Sequence, residues 1–158
     1  MKPLFSLLFC GVVALTATGA RAADDVATAI EGAYLLIQDD EYQRVLSFDR
    51  GGTVSQVSEQ QPLMGFTSGQ GAWEQTGPET VVARVIDFNF GLDDGKPTGT
   101  SLLVYKLTFS DPVAGKFQQI TGAYAGKNFA VGQNPLNPAE PPAREFGISF
   151  TGQRITAK

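Results

Sequence analysis

Two arginines occupy positions where a guanidinium has chemistry to do. Arg44 lies in the run Tyr42-Gln43-Arg44-Val45-Leu46-Ser47-Phe48, and Arg84 lies in the long run from Val81 to Phe90. Both runs read as strands, so residues two apart share a face. Tyr42, Arg44, Leu46 and Phe48 fall together on one face. In the longer run Val82, Arg84, Ile86, Phe88 and Phe90 share one face, while Val81, Ala83, Val85, Asp87 and Asn89 share the other. The first of these sets is bulkier and more apolar, which assigns it to the interior. A guanidinium in an apolar interior is costly unless it is paired and hydrogen-bonded. One partner is the carboxylate of a bound ligand, gripped through two parallel hydrogen bonds with Tyr105 assisting. The other solution is an internal partner such as Glu74 or Glu59, or a side chain reaching out at a rim. Trp73 and Phe88 either line such a site or fill core, as large aromatics usually do. The candidate ligand-binding set is therefore Arg44, Arg84, Tyr105, Trp73 and Phe88.

Other chemistries are excluded by what the chain lacks. It contains no histidine, and its one cysteine is Cys10. Without histidine there is no triad base and no imidazole ligand for a transition metal. No Gly-rich phosphate loop and no Gly-x-Ser-x-Gly elbow occurs. Asp93-Asp94-Gly95 resembles a piece of a calcium loop, but the remaining ligand positions are missing, so it reads as a turn. No metal and no cofactor is expected.

The first residues point to export. Met1-Lys2 is a short positive start, an apolar run extends from Leu4 to Leu15, and Ala20-Arg21-Ala22 offers small residues to a signal peptidase. The predicted leader is residues 1–22, cut after Ala22, leaving residues 23–158 as one domain in the periplasm or outside the cell. The apolar run is too short, and too interrupted by Thr16, Thr18 and Gly19, to span a bilayer. Cys10 is preceded by Phe9 instead of a small residue, so it leaves with the leader rather than carrying a lipid. The full chain has 12 basic and 16 acidic residues; loss of Lys2 and Arg21 leaves 10 basic, for a net charge of −6. Such a surface repels nucleic acid and anionic membranes, and neither is expected as a partner.

The elements that must position the candidate residues are short alternating runs parted by Gly, Pro, Asp and Asn. Strands are expected over 30–37, 42–48, 53–60, 69–75, 80–90, 100–109, 116–124 and 144–155, with one brief helical turn over 23–29. Asp49-Arg50-Gly51-Gly52 is a hairpin signal. Ser110-Asp111-Pro112 is expected to end the sixth strand. Eight strands in chain order predict an all-β, eight-stranded antiparallel up-and-down barrel, with a sandwich as the alternative. The segment 126–142, rich in Gly, Asn and Pro, is either a pinned connection or a lid over the barrel mouth.

Gly32-Ala33-Tyr34 at the first strand and Phe150-Thr151-Gly152-Gln153-Arg154-Ile155 at the last resemble the Gly-x-Trp start and the closing arginine of lipocalins and their calycin relatives. Gly71-Ala72-Trp73-Glu74-Gln75-Thr76-Gly77-Pro78, followed by a long strand, is similar to small exported bacterial proteins of lipocalin-like type. Tyr34 stands where the family has tryptophan. The resemblance implies a calycin barrel in which Tyr34 stacks on Arg154 and closes one end. It also implies a binding role, because fatty-acid-binding relatives use Arg and Tyr to hold a carboxylate. Three roles follow as expectations. The first is a carrier of one small apolar or amphipathic molecule, with Phe88, Phe90, Phe109, Phe146 and Phe150 as walls. The second is a cofactor-free cyclase or isomerase resembling allene oxide cyclase, with Glu74 or Asp87 as acid or base. The third is an interaction module with a solid interior.

Overall fold

The computed structural model describes residues 26–157; the leader expected over 1–22 lies outside them. Eight antiparallel strands, each paired with its neighbours in the chain and the last with the first, form a closed barrel. They are β1 (Gly32–Gln38), β2 (Gln43–Phe48), β3 (Thr53–Ser58), β4 (Gly69–Gln75), β5 (Thr80–Phe90), β6 (Pro97–Val113), β7 (Lys116–Phe129) and β8 (Arg144–Arg154). A short helix, α1 (residues 26–30), precedes β1, and a single turn, α2 (Gln61–Met64), joins β3 to β4. Among the described residues no helix is long and apolar enough to cross a membrane.

Two strands outrun their expected ends. β6 continues through Ser110-Asp111-Pro112 and turns at Ala114 and Gly115, both at positive φ. That pair of left-handed residues matches the twist of a tight hairpin, so the turn lies later than the proline suggested. β7 continues past Gly126, which breaks nothing. A Cβ there would lie 2.2 Å from the Phe146 ring, and Gly126 pairs directly with Phe146 across the sheet. The glycine makes room for an aromatic on the next strand. The connection therefore covers residues 130–143.

The interior has two unlike halves. Towards the β2–β3, β4–β5 and β6–β7 turns it is packed with Tyr34, Phe48, Val81, Leu107, Phe109, Phe117 and Ile30, all buried. Tyr34, Phe48 and Phe109 meet edge to face, with centroids 5.4–5.9 Å apart. Such edge contacts add to the burial of the rings. Helix α1 covers this end, with Ile30 fully buried and Val26 and Ala29 packed on the core.

Arg154 fastens the lid. Its guanidinium lies 4.8 Å from the centre of the Tyr34 ring, the contact that the calycin resemblance implies. It also donates to the carbonyls of Ala29, Ile30, Glu31 and Phe117 and to the Tyr34 hydroxyl. The last carbonyls of a helix have no partner within it, and a cation beside them is favoured by the helix dipole. One side chain thus satisfies the end of α1 and ties it to β1, β7 and β8. Burial pushes the Tyr34 hydroxyl up to about 12, against the opposing pull of Arg154. A lysine cannot reproduce this fan of donors. Arg154→Lys is expected to lower stability by about 1–3 kcal/mol, read as a lower urea midpoint at unchanged slope.

Candidate functional site

The other half of the barrel is open, and its interior is polar at depth. Arg44 on β2 is 4% exposed, so the assignment of the β2 face inward holds for Arg44, Leu46 and Phe48; Tyr42 is exposed at the strand's start. Arg44 Nη1 donates to Gln56 Oε1 and to the Tyr105 hydroxyl, each at 2.8 Å. Nη2 reaches the Tyr124 hydroxyl at 3.4 Å, and the guanidinium lies 4.8 Å from the centre of that ring. Tyr124 in turn donates to Gln38 Oε1, and Gln38 Nε2 donates to Asp40 and Gln60. Burial raises the Tyr105 and Tyr124 hydroxyls above their ordinary pKa, so both remain neutral phenols.

The β5 face assignment is corrected. Val81, Ala83, Val85 and Asp87 point inward and are buried, whereas Arg84 is exposed and Phe88 is 62% exposed. Bulk misled because neighbours fill the space. Ala83 pairs with Trp73 on one side and Tyr105 on the other, so a small residue must sit between two large rings. Arg84 therefore has no part in the interior, and Phe88 lies on the outer wall. Trp73 lies in the closed half, where it meets Phe48 edge to face at 6.0 Å and donates from Nε1 to the Asp49 carbonyl at 2.9 Å. It packs the core there and does not line the open half. Glu74 and Glu59, the internal partners expected for an arginine, are both exposed and pair with neither.

The residue brought in instead is Asp87. It is 3% exposed and accepts from Gln56 Nε2 at 3.0 Å. Gln56 thus stands between the buried anion and the buried cation, its amide nitrogen towards Asp87 and its amide oxygen towards Arg44. Among the described residues Arg44 forms no direct ion pair. Burial pushes the Asp87 carboxyl up to about 6, while the nearby Ser101 hydroxyl, the charge of Arg44 and the amide of Gln56 each pull it down; the Ser101 hydroxyl itself donates to Asn89 Oδ1 at 3.1 Å. Two atoms of this network have no hydrogen-bond partner among the described residues: Arg44 Nε and Asp87 Oδ1.

Above the network is a cavity of about 530 Å³. Arg44, Asp87, Ser101 and Tyr124 line its depth, and Leu103, Phe129, Phe146 and Ile148 form apolar wall. Met64 and Phe66, from α2 and the loop behind it, reach the same space. Of the expected wall residues Phe146 takes part, whereas Phe109 belongs to the closed half. Tyr105 is fully buried beneath the cavity and acts by holding Arg44. The 130–143 connection contributes only Ala130 and Ala143 to the lining, and its centre is folded on itself through Asn134 and Gln133. Sequence reasoning missed Gln56 and Tyr124. Their signal was the phase of Arg44, since an inward Arg44 requires polar partners on adjacent and facing strands.

Among the described residues no group of three or more His, Cys, Asp or Glu side chains is placed to hold a metal ion. Compared with known proteins, the chain matches no family model, no curated protein and no solved structure.

The carboxyl of Asp87 binds its proton more tightly in the folded state than in an unfolded chain, whose aspartates titrate near pH 4. Stability therefore falls as pH rises from about 4 to about 6. Asp87→Asn removes this cost of burying a charge. The variant is expected to be more stable than the parent by about 2–3 kcal/mol at neutral pH, with a flat profile across that window in urea melts.

Proposed function

We propose that the chain is an exported, lipocalin-like carrier holding one small amphipathic molecule in the open half of its barrel. The carrying observation is the cavity itself: apolar walls above a buried polar floor in which Gln56 joins the cation Arg44 to the anion Asp87. Its volume is in the range of small-molecule sites, and its plan of apolar lining with a few convergent polar groups is the plan of such sites. The Tyr34–Arg154 contact at the closed end supports the calycin reading. The leader-like residues 1–22 support export. A fully packed interaction module is less well supported, because packing stops halfway along the barrel.

A second reading draws on Asp87. A carboxyl with a pKa near neutrality, in a cavity, is a candidate acid or base. A cofactor-free cyclase or isomerase would use it on an apolar substrate shaped by Leu103, Phe146 and Ile148. Glu74, exposed on the outer wall, has no part in that reading.

Native mass spectrometry of protein purified without detergent is expected to show a bound small molecule, and fluorescent lipid probes are expected to bind in competition with it. Ile148→Trp, which fills the cavity from β8, should weaken probe binding about tenfold or more, while Arg84→Ala leaves it unchanged. A barrel that is always empty and binds no probe would remove the carrier reading.

A further inference from the structure

Asp87, Ser101, Asn128 and Arg144 form one row across β5, β6, β7 and β8, each directly opposite the next. All four line the cavity. Burial falls along the row, from 3% exposure at Asp87 and 5% at Ser101, through half-buried Asn128, to exposed Arg144. Strands of a barrel tilt against its axis, so a row that crosses them climbs from the floor to the mouth. On β8, therefore, Arg144 stands at the mouth, and Phe146 and Ile148, both half-buried, lie below it on the same inner face.

The polar groups at depth are engaged within the protein. Arg44 Nη1 and Nη2 serve Gln56, Tyr105 and Tyr124, Asp87 Oδ2 serves Gln56, and the Ser101 hydroxyl serves Asn89. Gln60 is bonded to Gln38 and Asp40. Arg44 Nε and Asp87 Oδ1 are buried and closed to the cavity. Arg144 is the opposite case. Among the described residues its guanidinium has no ion pair, and the one acid beside it in the chain, Glu145, pairs with Lys127 instead. The guanidinium lies 5.7 Å from the centre of the Phe146 ring. Such stacking holds an arginine in place without using its donors.

We propose that the cavity takes a carboxylate-bearing amphiphile head outward, with Arg144 gripping the head at the mouth and the tail running down β8 past Phe146 and Ile148. This rests on the carrier reading and reverses the orientation that a buried arginine suggests. A guanidinium with free donors holds a carboxylate through two parallel hydrogen bonds. From Arg144 to Ile148 the strand runs about 13 Å, room for a medium-length alkyl chain against Leu103, Phe129, Phe146 and Ile148. A carboxylate sent to the floor meets no free donor and lies unpaired near Asp87, at a high cost. Asp40, the other charged group of the lining near the mouth, stands on the β1–β2 turn and accepts from Gln38, Gln60 and the Tyr42 amide. Arg144 is exposed, so water screens its grip and the preference for an anion is modest in size.

Calorimetric titration at about pH 8, where carboxylic acids are ionised, tests the proposal with four probes: decanoate, decanol, N-decanoylglycine and decyltrimethylammonium. Decanoate is expected to bind about fivefold tighter than decanol, and decyltrimethylammonium no tighter than decanol. N-decanoylglycine carries the same tail under a larger anionic head. A head at the mouth has room for it, so its affinity should stay within about twofold of decanoate. Arg144→Gln should bring decanoate down to the level of decanol and leave decanol unchanged, which also reports that the variant is folded. If the variant loses decanol too, the wild-type comparison of decanoate with N-decanoylglycine decides alone. An unchanged ratio of decanoate to decanol in the folded variant overturns the proposal while the carrier reading stands. So does rejection of N-decanoylglycine by a protein that binds decanoate, since the head then lies at depth. Tighter binding of decyltrimethylammonium than of decanoate overturns it as well. Failure of every probe to bind overturns both readings together.

Discussion

Closure of the sheet is the constraint on which everything else depends. Once β8 pairs with β1, there is no free edge, and every strand must send alternate residues into one shared interior. That interior has a fixed capacity. Tyr34, Phe48, Phe109 and Phe117 fill its closed half, so the strands between them must present small residues there. Ala83 between Trp73 and Tyr105 is the plainest case. Gly126 beside Phe146 is the same bargain in the open half.

The same closure turns Arg44 from an ordinary strand residue into an organising charge. No surface is available to it, so the neighbouring strands supply phenols and amides. Gln56 is central because an amide presents opposite faces of its dipole to a cation and to an anion. It lets Arg44 and Asp87 coexist without contact. A direct pair would have consumed both groups in each other. The arrangement keeps a cation and an anion side by side at the floor of a space that apolar walls surround.

Much of this was legible in the sequence. The period of two, the Asp49–Gly52 turn and the count of eight runs favour the barrel over a sandwich, and the calycin resemblance implies the contact of Tyr34 with Arg154 at its closed end. The inward faces of β2, β6 and β8 could also be read, because Leu46 and Phe48, Tyr105 and Phe109, and Phe150 outweigh their alternates. β5 could not be read that way. Both of its faces are apolar, and its phase is set by the bulk of residues on β4 and β6, which no local pattern records. The site inherited that error. Bulk sends Arg84 and Phe88 inward and Asp87 outward, although Asp87 also stands in the sequence as a candidate acid or base. Gln56 escaped notice because a glutamine among Thr, Ser and Val gives no periodic signal.

The pairing of the first strand with the last has a temporal side. β1 finds one of its two partners only when β8, the final eleven-residue strand, exists. Arg154, which locks α1 in place, sits at the far end of that strand. The ring cannot shut around a partial chain, and most of its contacts join residues distant in sequence. The lid, the seam and the hollow therefore all wait on β8, and they form together once that strand has joined β1.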